Sequence, residues 1–196
     1  MKIVFYDTET SGTDPEVHDI IQIAAQVFEI NGPDWKPIAS FECKMMFNTA
    51  NAELDALQMN CFDADVWTKE AVSQETGLKA FDHFVGPHKD VQRKRKSGGV
   101  FYSLRTGGHN ILKFDDPFVR AWYREQGKFC PFDYQEMYDT LQYAKWKIGF
   151  DNPDKPENYK LGTLCEYYKV PLDGAHDAAA DILANARLAW RLMQKD

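Results

Sequence analysis

The chain opens on KIVFYDTETSG, an apolar, β-forming run over residues 2–6 that ends in two carboxylates, Asp7 and Glu9. Such a run reads as a buried strand. Side chains two apart on a strand share a face, so Asp7 and Glu9 project together where the strand ends. Residues 20–30 predict a second strand, with Ile21, Ile23, Ala25 and Val27 alternating, and Asn31-Gly32-Pro33 a turn. Residues 39–47 predict a third strand. Links this short predict an antiparallel meander.

Beyond the meander the periodicity changes. Residues 52–59 and 72–85 read as helices, the second with Leu78, Phe81, Phe84 and Val85 at helical spacing. Residues 87–99, which include HKDVQRKRKSGG, show no periodicity and read as an exposed basic loop inserted into a single domain spanning 1–196. Residues 100–104 return to strand character, closed by Gly107-Gly108. Residues 117–126 predict a helix with Pro117 in its first turn and Gly127 as its stop. Residues 134–146 fit a strand or a helix. Residues 161–168 and 178–193 read as helices, the last with Ile182, Leu183, Ala186, Ala189, Trp190 and Met193 on one stripe. A sheet followed by interleaved strands and helices is an α/β layout.

Composition narrows the classes. A net charge of −7 argues against a protein that coats long nucleic acid by bulk electrostatics. It leaves room for an acidic metal site, whose cations reverse the local field. Cys43, Cys61, Cys130 and Cys165 form no C-x-x-C pair, so reduced thiols in a cytoplasmic protein are expected. No apolar run is long enough for a membrane span, and the first residues do not fit a signal peptide.

Three carboxylate groups stand at expected element ends. Asp7 and Glu9 could share a hard dication such as Mg²⁺ or Mn²⁺, and could equally be a solvated strand edge. Asp115 and Asp116, in GHNILKFDDP, fall between a strand and a helix, where Asp also serves as a cap. Either could be the ligand. His176 and Asp181 lie in GAHDAAAD at the start of the last helix. Asp177 is a rival to Asp181, since the two are i,i+4. Four carboxylates and a histidine are the donor set a two-metal phosphodiesterase needs, with the histidine able to take a proton near neutrality.

In order along the chain, FYDTETSG, GHNILKFD and HDAAAD resemble the three motifs of the DnaQ-like (DEDDh) 3'→5' exonuclease superfamily. The resemblance spans residues 3 to about 193. It implies an α/β fold of ribonuclease H-like type: a mixed sheet, the three-strand meander plus parallel strands, flanked by helices. It further implies that Asp7, Glu9, Asp115 and Asp181 hold two Mg²⁺, with Mn²⁺ able to substitute. His176 would be the general base, and Asp115 and Asp181 are chosen over their neighbours. Thr10, Ser11 and Gly12 are expected to meet the 3'-terminal nucleotide, while His109 and Asn110 contact substrate or brace their loop. Three residues separate Asn110 from Phe114 where many relatives have two. That spacing, with F-D-D, resembles the nuclease core of bacterial exonuclease I and points to single-stranded DNA with a free 3' end as partner and substrate, released as nucleoside 5'-monophosphates. The alternatives are an exoribonuclease of the same fold and a silent nucleic-acid-binding or polymerase-associated module. The basic run over 89–96 either guides a phosphate backbone or is a solvated loop.

Overall fold

The computed structural model describes residues 1–172 and 178–194. Strand β1 (Lys2–Thr10) lies inside a six-stranded mixed sheet. It pairs antiparallel with β2 (Ile20–Asn31), which pairs antiparallel with β3 (Asp34–Lys44). This is the expected meander. On its other edge β1 runs parallel to β5 (Val100–Gly108), and β5 runs parallel to β6 (Phe132–Asp139). Strand β4 (Val91–Lys94) pairs antiparallel with the first half of β5.

Four consecutive buried residues explain the position of β1. Ile3, Val4, Phe5 and Tyr6 are all essentially inaccessible, as in a strand covered on both faces. Val4 and Tyr6 pack on one side with Leu78, Phe81 and Val85 of α3 (Gln74–Val85) and Phe118, Val119 and Trp122 of α4 (Asp115–Glu125). Ile3 and Phe5 pack on the other with Ile182, Ala186 and Ala189 of α7 (Ala178–Met193). Helices α5 (Thr140–Ile148) and α6 (Leu161–Tyr168) join α7 through Ala144, Ile148, Leu164, Leu188 and Leu192.

Several local expectations are corrected. The basic segment is a hairpin rather than a loop. Val91 is buried, and Arg95 to Gly99 close the turn with Gly98 and Gly99 at positive φ. Two of the five basic residues, Arg93 and Lys94, are thus paired strand residues, and Arg93 is held by Asp133 at 2.7 Å and by Glu136 at 3.5 Å. Strand β5 runs on past residue 104, and Gly107-Gly108 are its last two residues. A Cβ on Gly107 would stand 2.7 Å from the Phe5 ring, so the glycine admits the aromatic of the adjacent strand. Residues 134–146 divide between β6 and α5, because the Asp139 carboxylate caps α5 by accepting from the Leu141 and Gln142 N–H groups. The other short helices are α1 (Leu54–Met59) and α2 (Ala64–Glu70). The second was not anticipated, although Asp63 supplies an ordinary cap by accepting from Asp65 and Val66 N–H.

Candidate active site

Asp7 and Glu9 alternate with buried Thr8 along the end of β1 and remain partly accessible on one face. Asp115 opens α4, and Asp181 stands in the first turn of α7. Thus a strand end and two helix starts bring the four carboxylates together. His176 lies outside the described residues.

Crowding of like charge is visible in the proton affinities. Burial raises the Asp7 carboxyl to about 7, with further lifts from Glu9 and Asp181. Burial raises Glu9 to about 7 as well, assisted by Asp115 and Asp181. Asp115 is raised by burial and by Asp7, against the opposing pull of two hydrogen bonds from Thr8. Those bonds are the Thr8 N–H at 2.9 Å and the Thr8 hydroxyl at 2.8 Å, both donated to Asp115 Oδ1. Thr8 is a site residue the sequence reading missed. Its signal was its place between the two carboxylates of D-T-E, on the strand's other face.

Asp116 is engaged elsewhere. Its Oδ2 accepts from Arg120 Nε at 2.7 Å, one helical turn on. The two neighbouring aspartates therefore have distinct partners: Asp115 faces β1, and Asp116 faces its own helix.

Among the described residues no group of three or more His, Cys, Asp or Glu side chains is placed to hold a metal ion. By donor chemistry alone, the carboxylates Asp7, Glu9, Asp115 and Asp181 suit a hard dication, which takes oxygen ligands and favours the ionised form.

The neighbouring loop is braced internally. The Thr10 hydroxyl donates to the Gly12 carbonyl at 2.6 Å, and the Ser11 N–H to the Asp19 carbonyl at 2.9 Å. Gly12 lies so close against the His18 ring that a Cβ has no room. Helix α1 is fastened to this loop by Asn60 Nδ2, donating to the Thr10 carbonyl at 2.9 Å, and by the Glu53 N–H, donating to the Ser11 carbonyl at 2.8 Å. The His109 ring is braced within the fold. Its ring nitrogens are each 3.0 Å from Thr140 Oγ1 and the Tyr159 carbonyl. Asn110 sits at φ 61° with its N–H donated to Asp139 Oδ1.

The exonuclease family model matches residues 103–189. Ribonuclease T of Yersinia enterocolitica is 27% identical over 98% of this chain and 84% of its own length. Ribonuclease T of Yersinia pestis is 26% identical with the same coverage. Among solved structures, E. coli exonuclease I in complex with a dT13 oligonucleotide superposes with a TM-score of 0.69 at 18% identity, over 96% of this chain and 40% of that one. Cell-death related nuclease 4 (CRN-4) superposes with a TM-score of 0.73 at 14% identity, over 98% and 63%. At these identities the structures show a shared ribonuclease H-like fold, and the chain spans well under half of exonuclease I. Family and relatives together support a 3'→5' exonuclease hydrolase.

The Thr8 hydroxyl is expected to matter through Asp115. Thr8→Val should lower kcat about tenfold, the scale of one hydrogen bond to a charged group. A steady-state assay on an end-labelled strand checks it, and unchanged kcat would remove Thr8 from the site.

Proposed function

We propose that this chain removes nucleotides one at a time from a free 3' end, preferring single-stranded DNA, and releases nucleoside 5'-monophosphates. The observation that carries this reading is the crowding of Asp7, Glu9 and Asp115, with Asp181 beside them, at one end of the sheet, where neighbouring charges add to burial in raising the first three carboxyls. Carboxylates crowded in this way make a poor structural cluster and a good dication site.

Asp7, Glu9, Asp115 and Asp181 would hold two Mg²⁺, with Mn²⁺ able to replace them. Bound dications supply charge neutralisation for the attacking and leaving oxygens of an in-line displacement. The chain's own groups do the rest. His176 takes the proton from the attacking water as general base. Thr8 keeps Asp115 turned towards β1. The loop from Thr10 to Gly12, stiffened by its internal bonds, forms the floor for the terminal nucleotide. Asn110, with its backbone fastened to Asp139, stands at the entrance to α4.

Helix α1 supports a single-stranded substrate. It has no buried residue, it is bonded to the Thr10–Ser11 segment, and it carries Leu54 and Met59 at 75% and 77% exposure. Apolar surface beside the site suits bases that are unstacked rather than paired. The complex of exonuclease I with an oligonucleotide of thymidines favours the DNA reading. The ribonuclease T relatives favour the second reading, an exoribonuclease with the same centre, since only pocket contacts to a 2'-OH distinguish the sugars.

An end-labelled panel of single-stranded DNA, duplex DNA and RNA with Mg²⁺ separates the two. Single-stranded DNA is expected to shorten fastest, with 5'-monophosphate products. Faster RNA shortening would transfer the assignment to the second reading, and products bearing 3'-phosphate would overturn both.

A further inference from the structure

Outside the carboxylate cluster, two buried polar side chains and a half-buried histidine meet where four segments converge. The Thr140 hydroxyl, on the first residue of α5, lies 2.8 Å from Asn185 Oδ1 on α7, 3.0 Å from His109 Nδ1 and 3.3 Å from the Gly108 carbonyl. His109 Nε2 is 3.0 Å from the Tyr159 carbonyl, just ahead of α6. Thr140 and Asn185 are 3% and 5% exposed. The hydroxyl carries one proton and two lone pairs, so it can engage more than one of these neighbours at once. One side chain of α5 thus ties the end of β5 to α7, and His109 ties the same point to the segment before α6.

Helix α7 is also held further along, where Trp190 Nε1 donates to the Pro33 carbonyl at 2.7 Å and Lys147 Nζ to the Leu192 carbonyl at 2.9 Å, while its packing around Asn185 is apolar. Its inner side rests on β1 and β2 through Ile182, Ala186 and Ala189, and on α5 and α6 through Leu188 and Leu192. Apolar packing is non-directional, and alanines interlock less than larger side chains. A hydrogen bond constrains both distance and angle. Asn185 stands one turn beyond Asp181, so the two share a face of the helix. Fixing Asn185 therefore fixes how α7 presents Asp181.

We propose that His109, Thr140 and Asn185 form a positioning network that sets the rotation of α7 and thereby places Asp181 against Asp7 and Glu9. The network rests on the exonuclease reading above for its purpose, but not for its geometry. None of the three touches the reacting atoms; they act through the helix. The sequence motifs on either side, GHN and DTL, thereby acquire a joint role that neither has alone.

The test compares Thr140→Val, Thr140→Ser and Asn185→Leu in the full chain. Thr140→Val is expected to lower kcat about 10- to 100-fold with KM for the 3' end within about twofold, the scale of a small misplacement of a reacting group. Thr140→Ser, which keeps the hydroxyl, should return kcat to within about threefold of wild type. Thr140→Val combined with Asn185→Leu should cost about as much as either alone, because members of one network are not additive. Amide hydrogen exchange of the metal-free protein supplies a readout independent of turnover: α7 amides around Asp181 should exchange faster in Thr140→Val and at the wild-type rate in Thr140→Ser. Should Thr140→Val not fold, Asn185→Leu and Thr140→Ser carry the comparison. Unchanged α7 exchange in a folded Thr140→Val or Asn185→Leu protein, or Thr140→Ser as impaired as Thr140→Val, would overturn the network. A wild-type protein that shortens no nucleic acid, yet whose α7 exchange responds as described, would overturn the exonuclease reading and leave the network standing.

Discussion

Replacing Asp7 with Asn is expected to abolish nucleotide release while making the metal-free protein more stable at pH 8. The two effects have one cause. Burial, Glu9 and Asp181 raise the Asp7 carboxyl from 3.8 to about 7. A group whose proton affinity is raised by folding contributes its stability in full below its unfolded value, here pH 3.8, and loses it as pH climbs through about 7. At pH 8 the ionised carboxylate opposes folding by a few kcal/mol, taking about 1.4 kcal/mol per unit. Asn has nearly the same shape and no charge to strand. For a domain of this size each kcal/mol moves Tm by roughly 2–4 °C, so a rise of several degrees is expected. Turnover should fall by about a thousandfold or more, because the substitution removes a ligand that acts in the transition state. Calorimetry and the end-labelled assay check the two halves. Nuclease activity that survives Asp7→Asn would remove Asp7 from the chemistry and reopen the silent-module alternative.

Divalent cations are expected to stabilise the protein strongly at pH 8 and little at pH 5. Asp7 and Glu9 both titrate at about 7, so at pH 5 both hold protons that a dication must displace. Above that range the carboxylates are ionised and mutually repelling, and a cation relieves the repulsion. With cation at about 100 times its Kd, mass action gives about 2.7 kcal/mol, or roughly 5–10 °C in Tm. Thermal melts with Mg²⁺ or Mn²⁺ at the two pH values measure this directly. Activity should vanish with a chelator and show an acid limb as the carboxylates and His176 take up protons. Equal stabilisation at pH 5 and pH 8 would indicate binding somewhere other than the four carboxylates.

How far the site was legible differs residue by residue. Asp7 and Glu9 were readable because strand periodicity is local, and D-x-E at the end of an apolar run has one geometric consequence. The stripe of α7 was readable for the same reason. Asp115 and Asp116 were not separable by position, since both lie in the first turn of a helix. Part of the answer was local after all: Arg120 is four residues beyond Asp116 and pairs with it. The other part was not, because Asp115 is held by Thr8, 107 residues away. The basic run over 89–96 illustrates a different limit. Its charges suggested a solvated loop, yet Val91 is buried and Arg93 answers Asp133, on a strand that the sequence read ambiguously. His109 was open between substrate contact and bracing until Thr140 and Tyr159 were seen on either side of its ring.

By itself the sequence determined the antiparallel meander, the strand end that carries Asp7 and Glu9 on one face, and the helix that carries Asp181. Each follows from periodicities of two or 3.6 residues, which act over a single element. Only the tertiary structure decided that Asp115 rather than Asp116 faces β1, that the basic segment is a paired hairpin, and that His109 ties the end of β5 to α5 and to the segment before α6. Those outcomes depend on hydrogen bonds and ion pairs between segments far apart in the chain, whose energies no local pattern records.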